Sequence, residues 1–69
     1  MNWDQIKGQW KQFSGSAKER WGKLTDDDLT RIDGRREELE GILQERYGVA
    51  KEDANRQIDE FCESLRAST

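Results

Sequence analysis

Hydrophobic and polar residues follow a helical period in the first third of the chain. Its hydrophobic residues succeed one another at steps of three or four: Trp3, Ile6, Trp10, Phe13, Ala17 and Trp21. Because an α-helix turns by about 100° per residue, this spacing places them along one face. Residues 3–21 are therefore predicted to form one amphipathic helix, with Asn2 or Asp4 capping its start or stabilising it through charge.

Glycine, threonine and aspartate mark the boundary between this helix and the next. Gly22 follows the last hydrophobic residue, at the position where a left-handed residue commonly ends a helix. Thr25 offers a hydroxyl for an N-cap, and residues 26–28 are all aspartate, so that carboxylates fall in the next first turn. One helix is therefore predicted to stop and another to start within a few residues.

Three further helices are predicted from the same signals. The second covers residues 26–33 and ends at Gly34. The third covers residues 35–47 and ends at Gly48. The fourth covers residues 50–65, with hydrophobic residues at steps of four, three and four: Ala54, Ile58, Phe61 and Leu65.

The second half of the chain resembles the first. Gly8–Asp33 aligns with Gly34–Asp59 at a spacing of 26 positions. Glycines, a Glu-Arg pair and core candidates recur at matching places, so that Tyr47 corresponds to Trp21. Sequence repeats of this kind indicate a repeated structural unit. Each unit is predicted to be a helical hairpin with one hydrophobic face.

We therefore predict an all-α fold, a small single domain of about four helices in which two helical hairpins pack against each other. The core is predicted from the inward faces of both hairpins: Phe13, Trp21, Leu24, Leu39, Leu43, Tyr47, Ile58 and Phe61. The alternative is a three-helix bundle, in which the helix from Asp26 continues through Gly34 into the third helix. The backbone at Gly34 distinguishes the two.

Composition places the chain near the border between small folded domains and disordered proteins. Of its 69 residues, 39% are charged and 32% hydrophobic, but the net charge is only −3, which favours folding. The length suits one domain over residues 1–69. Residues 1–23 carry five Lys/Arg against two Asp/Glu, and the remainder carries seven against thirteen. Opposite charges on successive helices favour complementary surfaces, and a monomer or weak self-association is expected.

The chain lacks the residue sets of common catalytic and metal sites. It has no histidine, and Cys62 is the single cysteine, which excludes an internal disulfide and a Cys/His zinc site. It has no glycine-rich phosphate loop after a strand, and it is too short to enclose a substrate pocket. The aspartates at 26–28 point in three directions from a helix and lack the spacing of a calcium loop. We therefore predict no enzyme, cofactor or metal.

The chain also lacks signals for a membrane. No hydrophobic run approaches the roughly 18 residues that cross a bilayer. The N-terminus MNWDQIKGQW lacks the hydrophobic segment of a signal peptide. A cytoplasmic protein without a membrane span is expected.

The basic first helix carries the candidate interaction surface, defined as Trp10 with Lys7, Lys11 and Lys18. The repeat aligns Trp10 with Arg36, which indicates that the fold needs no hydrophobic residue there. If any tryptophan is exposed to a partner, Trp10 is therefore predicted to be that one. Lysine beside tryptophan also occurs on nucleic-acid-binding surfaces, but an acidic protein is repelled by phosphates. A protein, and not a nucleic acid, is the expected partner.

Two segments resemble a known family: WKQFSGSAKERWGKLTDDD at residues 10–28 and LEGILQERYG at residues 39–48. They resemble the CsbD-like family, small bacterial proteins associated with the general stress response. The residues that carry the resemblance are Trp10, Lys11, Gln12, Phe13, Gly15, Lys18, Glu19, Trp21, Gly22, Lys23, Leu24, Thr25, Asp26, Asp27, Asp28, Gly34, Arg36, Leu39, Gly41, Gln44, Glu45, Arg46, Tyr47 and Gly48. Ser14 and Ser16 stand where the family more often has basic residues, and the region from Asn55 matches poorly. The resemblance implies two packed helical hairpins and a stress context, with no catalytic residues.

The leading hypothesis from the sequence is a non-enzymatic stress-response protein that protects other macromolecules. Its mean hydropathy of −1.18 resembles that of hydrophilin-like protectants, which stay hydrated when water is scarce. Helices that contain glycine also loosen easily. The alternative is a specific protein-binding module that uses the basic, Trp-bearing first helix.

Overall fold

The computed structural model describes the backbone of residues 2–67 and the side chains of residues 2–65. Within that part of the chain the backbone forms five α-helices and no strand: α1 (Trp3–Gly8), α2 (Trp10–Arg20), α3 (Asp26–Ile32), α4 (Arg36–Tyr47) and α5 (Lys51–Ala67). The first three helices form one hairpin and the last two form the other. The prediction of an all-α fold built from two packed hairpins is confirmed.

The predicted first helix is interrupted at one residue. Gln9, with φ −126° and ψ 35°, lies outside both helices and separates α1 from α2. Its N–H donates to the carbonyl of Ile6, and its own carbonyl accepts from the N–H groups of Gln12 and Phe13. The prediction of one continuous helix over residues 3–21 was wrong. The spacing of hydrophobic residues did not reveal the interruption, because buried side chains lie at helical steps on both sides of it.

The start of α1 is capped by a reciprocal pair of hydrogen bonds. The side-chain oxygen of Asn2 accepts from the N–H of Gln5 at 3.0 Å, and the side-chain oxygen of Gln5 accepts from the N–H of Asn2 at 3.2 Å. Such a capping box satisfies N–H groups that have no partner within the helix. Of the two predicted residues, Asn2 is therefore the cap, and Asp4 lies in the first turn.

The chain leaves α2 without a left-handed residue. Trp21 is the C-terminal cap, with φ −118° and ψ 83°, and Gly22 does not have a positive φ. The left-handed conformation predicted for Gly22 was wrong. The side chain of Trp21 is buried against Phe61, with ring centroids 5.0 Å apart, where the backbone leaves the helix.

The turn between α3 and α4 decides between the two predicted architectures. Asp33 (φ 44°) and Gly34 (φ 80°) are both left-handed, and the N–H of Arg35 donates to the carbonyl of Ile32 at 2.7 Å. The helix from Asp26 therefore ends before Gly34. The two-hairpin arrangement is confirmed, and the three-helix bundle is excluded. Gly48 ends α4 in the left-handed conformation, as predicted.

The hydrophobic core extends further than the sequence predicted. Six of the eight predicted core residues are buried, whereas Phe13 and Tyr47 are only partly buried and pack against the core. The other buried hydrophobic residues are Ile6, Trp10, Ala17, Leu29, Ile32, Ile42, Ala54 and Cys62. Ile6, Ile32 and Ile58 are all 0% exposed, and they are spaced by the repeat length of 26 positions. The two copies of the repeat thus place Ile32 and Ile58 at the same core position, and Ile6, which precedes the first copy, lies one repeat length before Ile32.

Candidate interaction surface

The four residues of the candidate interaction surface do not share one environment. Lys7 on α1 and Lys11 and Lys18 on α2 are exposed, whereas Trp10 is buried, with 8% of its surface accessible. Lys18 forms an ion pair with Asp26 at 2.7 Å. Lys7 and Lys11 form no ion pair with any described side chain. Lys7 and Lys11 are therefore the members of this surface that present a charge without a counter-ion among the described side chains.

Trp10 is a structural residue. Its indole Nε1–H donates to the carbonyl of Leu29 on α3 at 2.9 Å, and its ring lies 5.9 Å from the ring of Trp3. A buried indole N–H requires an acceptor, and here the backbone of the neighbouring helix supplies it. The exposure predicted for Trp10 was therefore wrong.

The repeat explains why the sequence misled at this position. Arg36, the counterpart of Trp10, donates from Nη2 to the carbonyl of Asn55 at 3.3 Å. Asn55 is itself the counterpart of Leu29. Both copies of the repeat therefore place a side-chain N–H donor on the same backbone carbonyl. Tryptophan and arginine both supply this donor, and Nη2 of Arg36 also pairs with Asp59 at 2.8 Å.

The unpaired lysines border two shallow grooves. Lys11 lies in one groove with Asp26 and Asp33, between α2 and α3. Lys7 lies in another with Glu38, between α1 and the start of α4. Each groove contains side chains of both charges. Such surfaces suit weak polar contacts better than the binding of a single hydrophobic or strongly charged ligand.

A polar centre that the sequence did not reveal connects α3 to α4. Asp28 is the one buried charged residue among those described, with 4% of its surface exposed. Its Oδ2 accepts from the N–H of Thr25 and from Nε of Arg46, both at 3.1 Å, and its Oδ1 accepts from Nη2 of Arg46 at 3.0 Å. The Thr25 hydroxyl in turn accepts from the N–H of Asp28. Asp28 thus completes the capping box of α3 and also forms a two-point ion pair with α4.

The pKa values of both partners follow from this geometry. Hydrogen bonding to Arg46, together with the backbone of Thr25, lowers the pKa of Asp28 below its usual value of 3.8. The same hydrogen bond raises the pKa of the Arg46 guanidinium. The pair is therefore charged throughout the physiological pH range. The motif Thr-x-x-Asp was the available signal for the cap, but nothing in the sequence indicated that Arg46 would reach it.

Cys62 lies in a third open groove, together with Trp3, Gln5 and Arg36. The side chain is 8% exposed, and burial raises the pKa of its thiol. Because the thiolate is the nucleophilic form, a raised pKa makes a thiol less reactive. Cys62 occupies the place of a small hydrophobic residue at the edge of the core.

The described part of the chain contains no metal-binding cluster and no membrane-spanning helix. Within it, no group of three or more cysteine, aspartate or glutamate side chains is arranged to hold a metal ion. No described helix combines the length and the hydrophobicity that crossing a bilayer requires.

Comparison with known proteins assigns the family. The sequence profile of the CsbD-like family matches residues 4–56. The chain is 62% identical to a UPF0337 protein of Pectobacterium atrosepticum over 58 residues, which are 84% of each chain. It is 57% identical to a UPF0337 protein of Pseudomonas aeruginosa over 65 residues, 94% of this chain and 100% of that one. It is 55% identical to the UPF0337 protein YjbJ of Escherichia coli K12 over 58 residues, 84% of each chain.

These matches cover nearly the whole chain at more than half identity, so they confirm the resemblance found in the sequence. UPF0337 proteins are generally associated with the stress response, and they are not a known enzyme family. The chain belongs to the CsbD-like family.

Proposed function

We propose that the chain is a non-enzymatic protein of the bacterial general stress response, and that it protects other macromolecules in the cytoplasm when water is scarce. The surface carries this proposal. No large hydrophobic side chain among residues 2–65 is exposed, although 39% of the whole chain is charged. Such a surface retains water and offers no hydrophobic patch through which crowded proteins would aggregate.

The ion pairs suggest how this surface would act. Lys18 with Asp26 and Arg20 with Glu60 join side chains that are between 33% and 85% exposed. Exposed pairs of this kind typically contribute only about 0.2–1 kcal/mol to stability. Each member can therefore leave its partner and pair with a charged group on a neighbouring protein at little cost in free energy. Many weak contacts of this type would separate and hydrate other proteins without a fixed partner, so that a monomer or a weakly self-associating chain suffices.

Drying tests the proposal. A labile enzyme is dried with increasing amounts of the protein, and its activity is measured after rehydration. A swap variant reverses two pairs, through Lys18→Asp with Asp26→Lys and Arg20→Glu with Glu60→Arg. A matched neutral variant places Gln or Asn at the same four positions, which keeps the net charge but removes four charges. The swap variant is expected to protect as well as the wild type, and the neutral variant less well. If the folded swap variant loses protection, the contacts are specific and the proposal is wrong.

A second candidate is a specific protein-binding module on the first hairpin. The observation in its favour is that Lys7 and Lys11 have no counter-ion among the described side chains. Capture of partners from a cell extract is compared between two double variants. One combines Lys7→Glu and Lys11→Glu, and the control combines Lys51→Glu and Arg56→Glu on α5, which alters the net charge equally. Loss of one saturable partner in the first variant alone would favour the binding module. Equal behaviour of both variants would count against it.

A further inference from the structure

We propose that α1 is a detachable strap, which swings away about Gln9 while α2–α5 keep their fold. This inference concerns a motion of the chain itself and does not depend on the proposed function. It rests on the length of α1, on the joint at Gln9 and on the contacts by which α1 is docked.

The length of α1 makes its structure dependent on docking. It has six residues, whereas isolated helices shorter than about 12–15 residues are marginal in water even with favourable sequences. Its last residue, Gly8, contributes no side-chain contact and lowers the helix propensity further. Once undocked, α1 therefore loses its helical structure as well as its position.

Gln9 forms a joint of one residue. It is exposed, and it is at the same time the C-terminal cap of α1 and the N-terminal cap of α2. No side chain caps the start of α2. Rotation at Gln9 breaks the hydrogen bond from its N–H to the Ile6 carbonyl, but it leaves the bonds from Gln12 and Phe13 to the Gln9 carbonyl within α2.

The polar docking contact of α1 is made with the turn at Gly34, and its apolar contacts are made by Ile6 in the core and by Trp3, whose ring lies 5.9 Å from that of Trp10 on α2. The indole Nε1–H of Trp3 donates to the carbonyl of Gly34 at 2.9 Å. Gly34 packs so closely on α1 that a Cβ atom there would lie 3.1 Å from the carbonyl oxygen of Lys7. Ile6 is buried completely. None of the ion pairs in the described part of the chain involves α1.

Trp3 and Arg36 line both of two neighbouring grooves. One lies toward Gln5 and Cys62, and the other toward Lys7 and Glu38. Release of α1 takes Trp3 away from both grooves and exposes the side of the core that Ile6 covers. The Cys62 thiol, which borders the first groove, then becomes accessible to solvent.

Hydrogen exchange measured by NMR on the full chain tests the strap. In the wild type, the Trp3 indole N–H and the amide of Gln9 are expected to be protected at least about tenfold less than the core amides of α4, and their protection is expected to depend less on added urea, because local opening exposes less surface than global unfolding does. The Trp21 indole, which donates to Gln57 on α5 at 3.0 Å, serves as an internal reference for the main fold.

Two glycine variants separate docking from backbone strain. Gly34→Ala and Gly48→Ala both place a side chain at a positive φ, of 80° and 66°, but only the first brings a Cβ against α1. Gly34→Ala is expected to lower protection of the Trp3 indole at least about tenfold relative to α4, and to accelerate alkylation of Cys62. Gly48→Ala is expected to change Trp3 and α4 protection together.

A third variant leaves the turn intact. Trp3→Phe removes the indole donor but keeps an aromatic ring, and Trp21→Phe is its counterpart on the main fold. Cys62 is expected to be alkylated faster in Trp3→Phe than the change in global stability of that variant explains. This result would support the strap. If α1 in the wild type is as protected as α4, or if Cys62 alkylation follows global unfolding in every variant, α1 is an integral part of the fold and the proposal is wrong.

Discussion

Long side chains that donate to backbone carbonyls of a neighbouring helix or turn recur in this molecule. Trp3 donates to Gly34, Trp10 to Leu29 and Arg36 to Asn55. These bonds fix the position of one helix along another, which hydrophobic contact alone specifies less sharply because it has little directional preference. At the scale of the residue, a hydrogen-bond donor at the correct position along its helix or turn is therefore as characteristic of this fold as a hydrophobic side chain.

Replacement of Trp10 by Phe tests this role. The ring is largely retained, but the donor to the Leu29 carbonyl is lost. Because that carbonyl also accepts from the N–H of Asp33 at 3.2 Å, it is not left without a partner. The free energy of unfolding is expected to fall by about 1–2 kcal/mol, as measured by urea denaturation. An unchanged stability would show that the hydrogen bond contributes nothing.

Asp28 gives the fold a dependence on pH. Its carboxylate has a lower pKa in the folded protein than the usual 3.8, so its contacts stabilise the fold fully above that value. The contribution is lost as the pH falls through the folded-state pKa. Asp28→Asn is expected to lower the free energy of unfolding at pH 7 by about 1 kcal/mol, since Arg46 is partly in water and the pair is screened.

The stability difference between Asp28→Asn and the wild type is expected to shrink as urea denaturation is repeated at decreasing pH below about 4. Asp27→Asn is the matched control, because Asp27 is an exposed neighbour in the same helical turn and makes no ion pair with a described side chain. A constant difference at all pH values would contradict the assignment of the effect to the ionised carboxylate.

Single residues with local roles could be predicted from the sequence, and residues with distant partners could not. The cap at Thr25 follows from a hydroxyl before a run of carboxylates, and the turn at Gly48 follows from a glycine after a hydrophobic stripe. Trp10 could not be placed, because the carbonyl it needs lies 19 residues away. Alignment of the repeat identified Arg36 as the counterpart of Trp10, but it did not reveal that both side chains donate a hydrogen bond.

At the scale of the element, the helices differ in what their glycines do. Gly41 lies within α4, is exposed, and has nothing within 4 Å of where a Cβ would be. Gly48 ends the same helix with a φ of 66°, where a side chain introduces strain. The same substitution at these two positions is therefore expected to have opposite effects.

Gly41→Ala is expected to raise the free energy of unfolding by about 0.5–1 kcal/mol, since alanine favours the helix and restricts the unfolded chain. Gly48→Ala is expected to lower it by about 1 kcal/mol, because a left-handed backbone disfavours any Cβ. Both are measured by urea denaturation under identical conditions. A loss of stability in Gly41→Ala would indicate that this glycine has a role beyond the helix.

Helices could be located from the sequence more reliably than the joints between them. Hydrophobic spacing and caps predicted α3, α4 and α5 to within a few residues at each end. The joint at Gln9 escaped prediction, because one non-helical residue hardly disturbs a stripe of side chains at steps of three and four. Gly22 was misassigned because the helix ends at Trp21, whose partner in the core, Phe61, is 40 residues away in sequence and is not evident from the local pattern.

At the scale of the whole molecule, every tryptophan has a different acceptor. Trp3 and Trp10 donate to backbone carbonyls, and Trp21 donates to the side chain of Gln57. A proton-nitrogen correlation spectrum of the free protein is therefore expected to show three separate indole signals and well-dispersed amides. Coincident indole signals would mean that the hairpins do not pack in dilute solution. The spectrum therefore decides whether a chain whose composition is close to that of disordered proteins is folded.

The left-handed pair Asp33–Gly34 also determines how long the molecule is. Were residues 26–47 a single helix, it would be about 33 Å long at 1.5 Å per residue, which exceeds the longest dimension of the molecule, 31 Å. The flanking helices would then have to fold back along this rod, as in a three-helix bundle, or be exchanged with those of a second chain to cover their hydrophobic faces. The reversal at these two residues instead lets one chain complete its core within a shorter molecule.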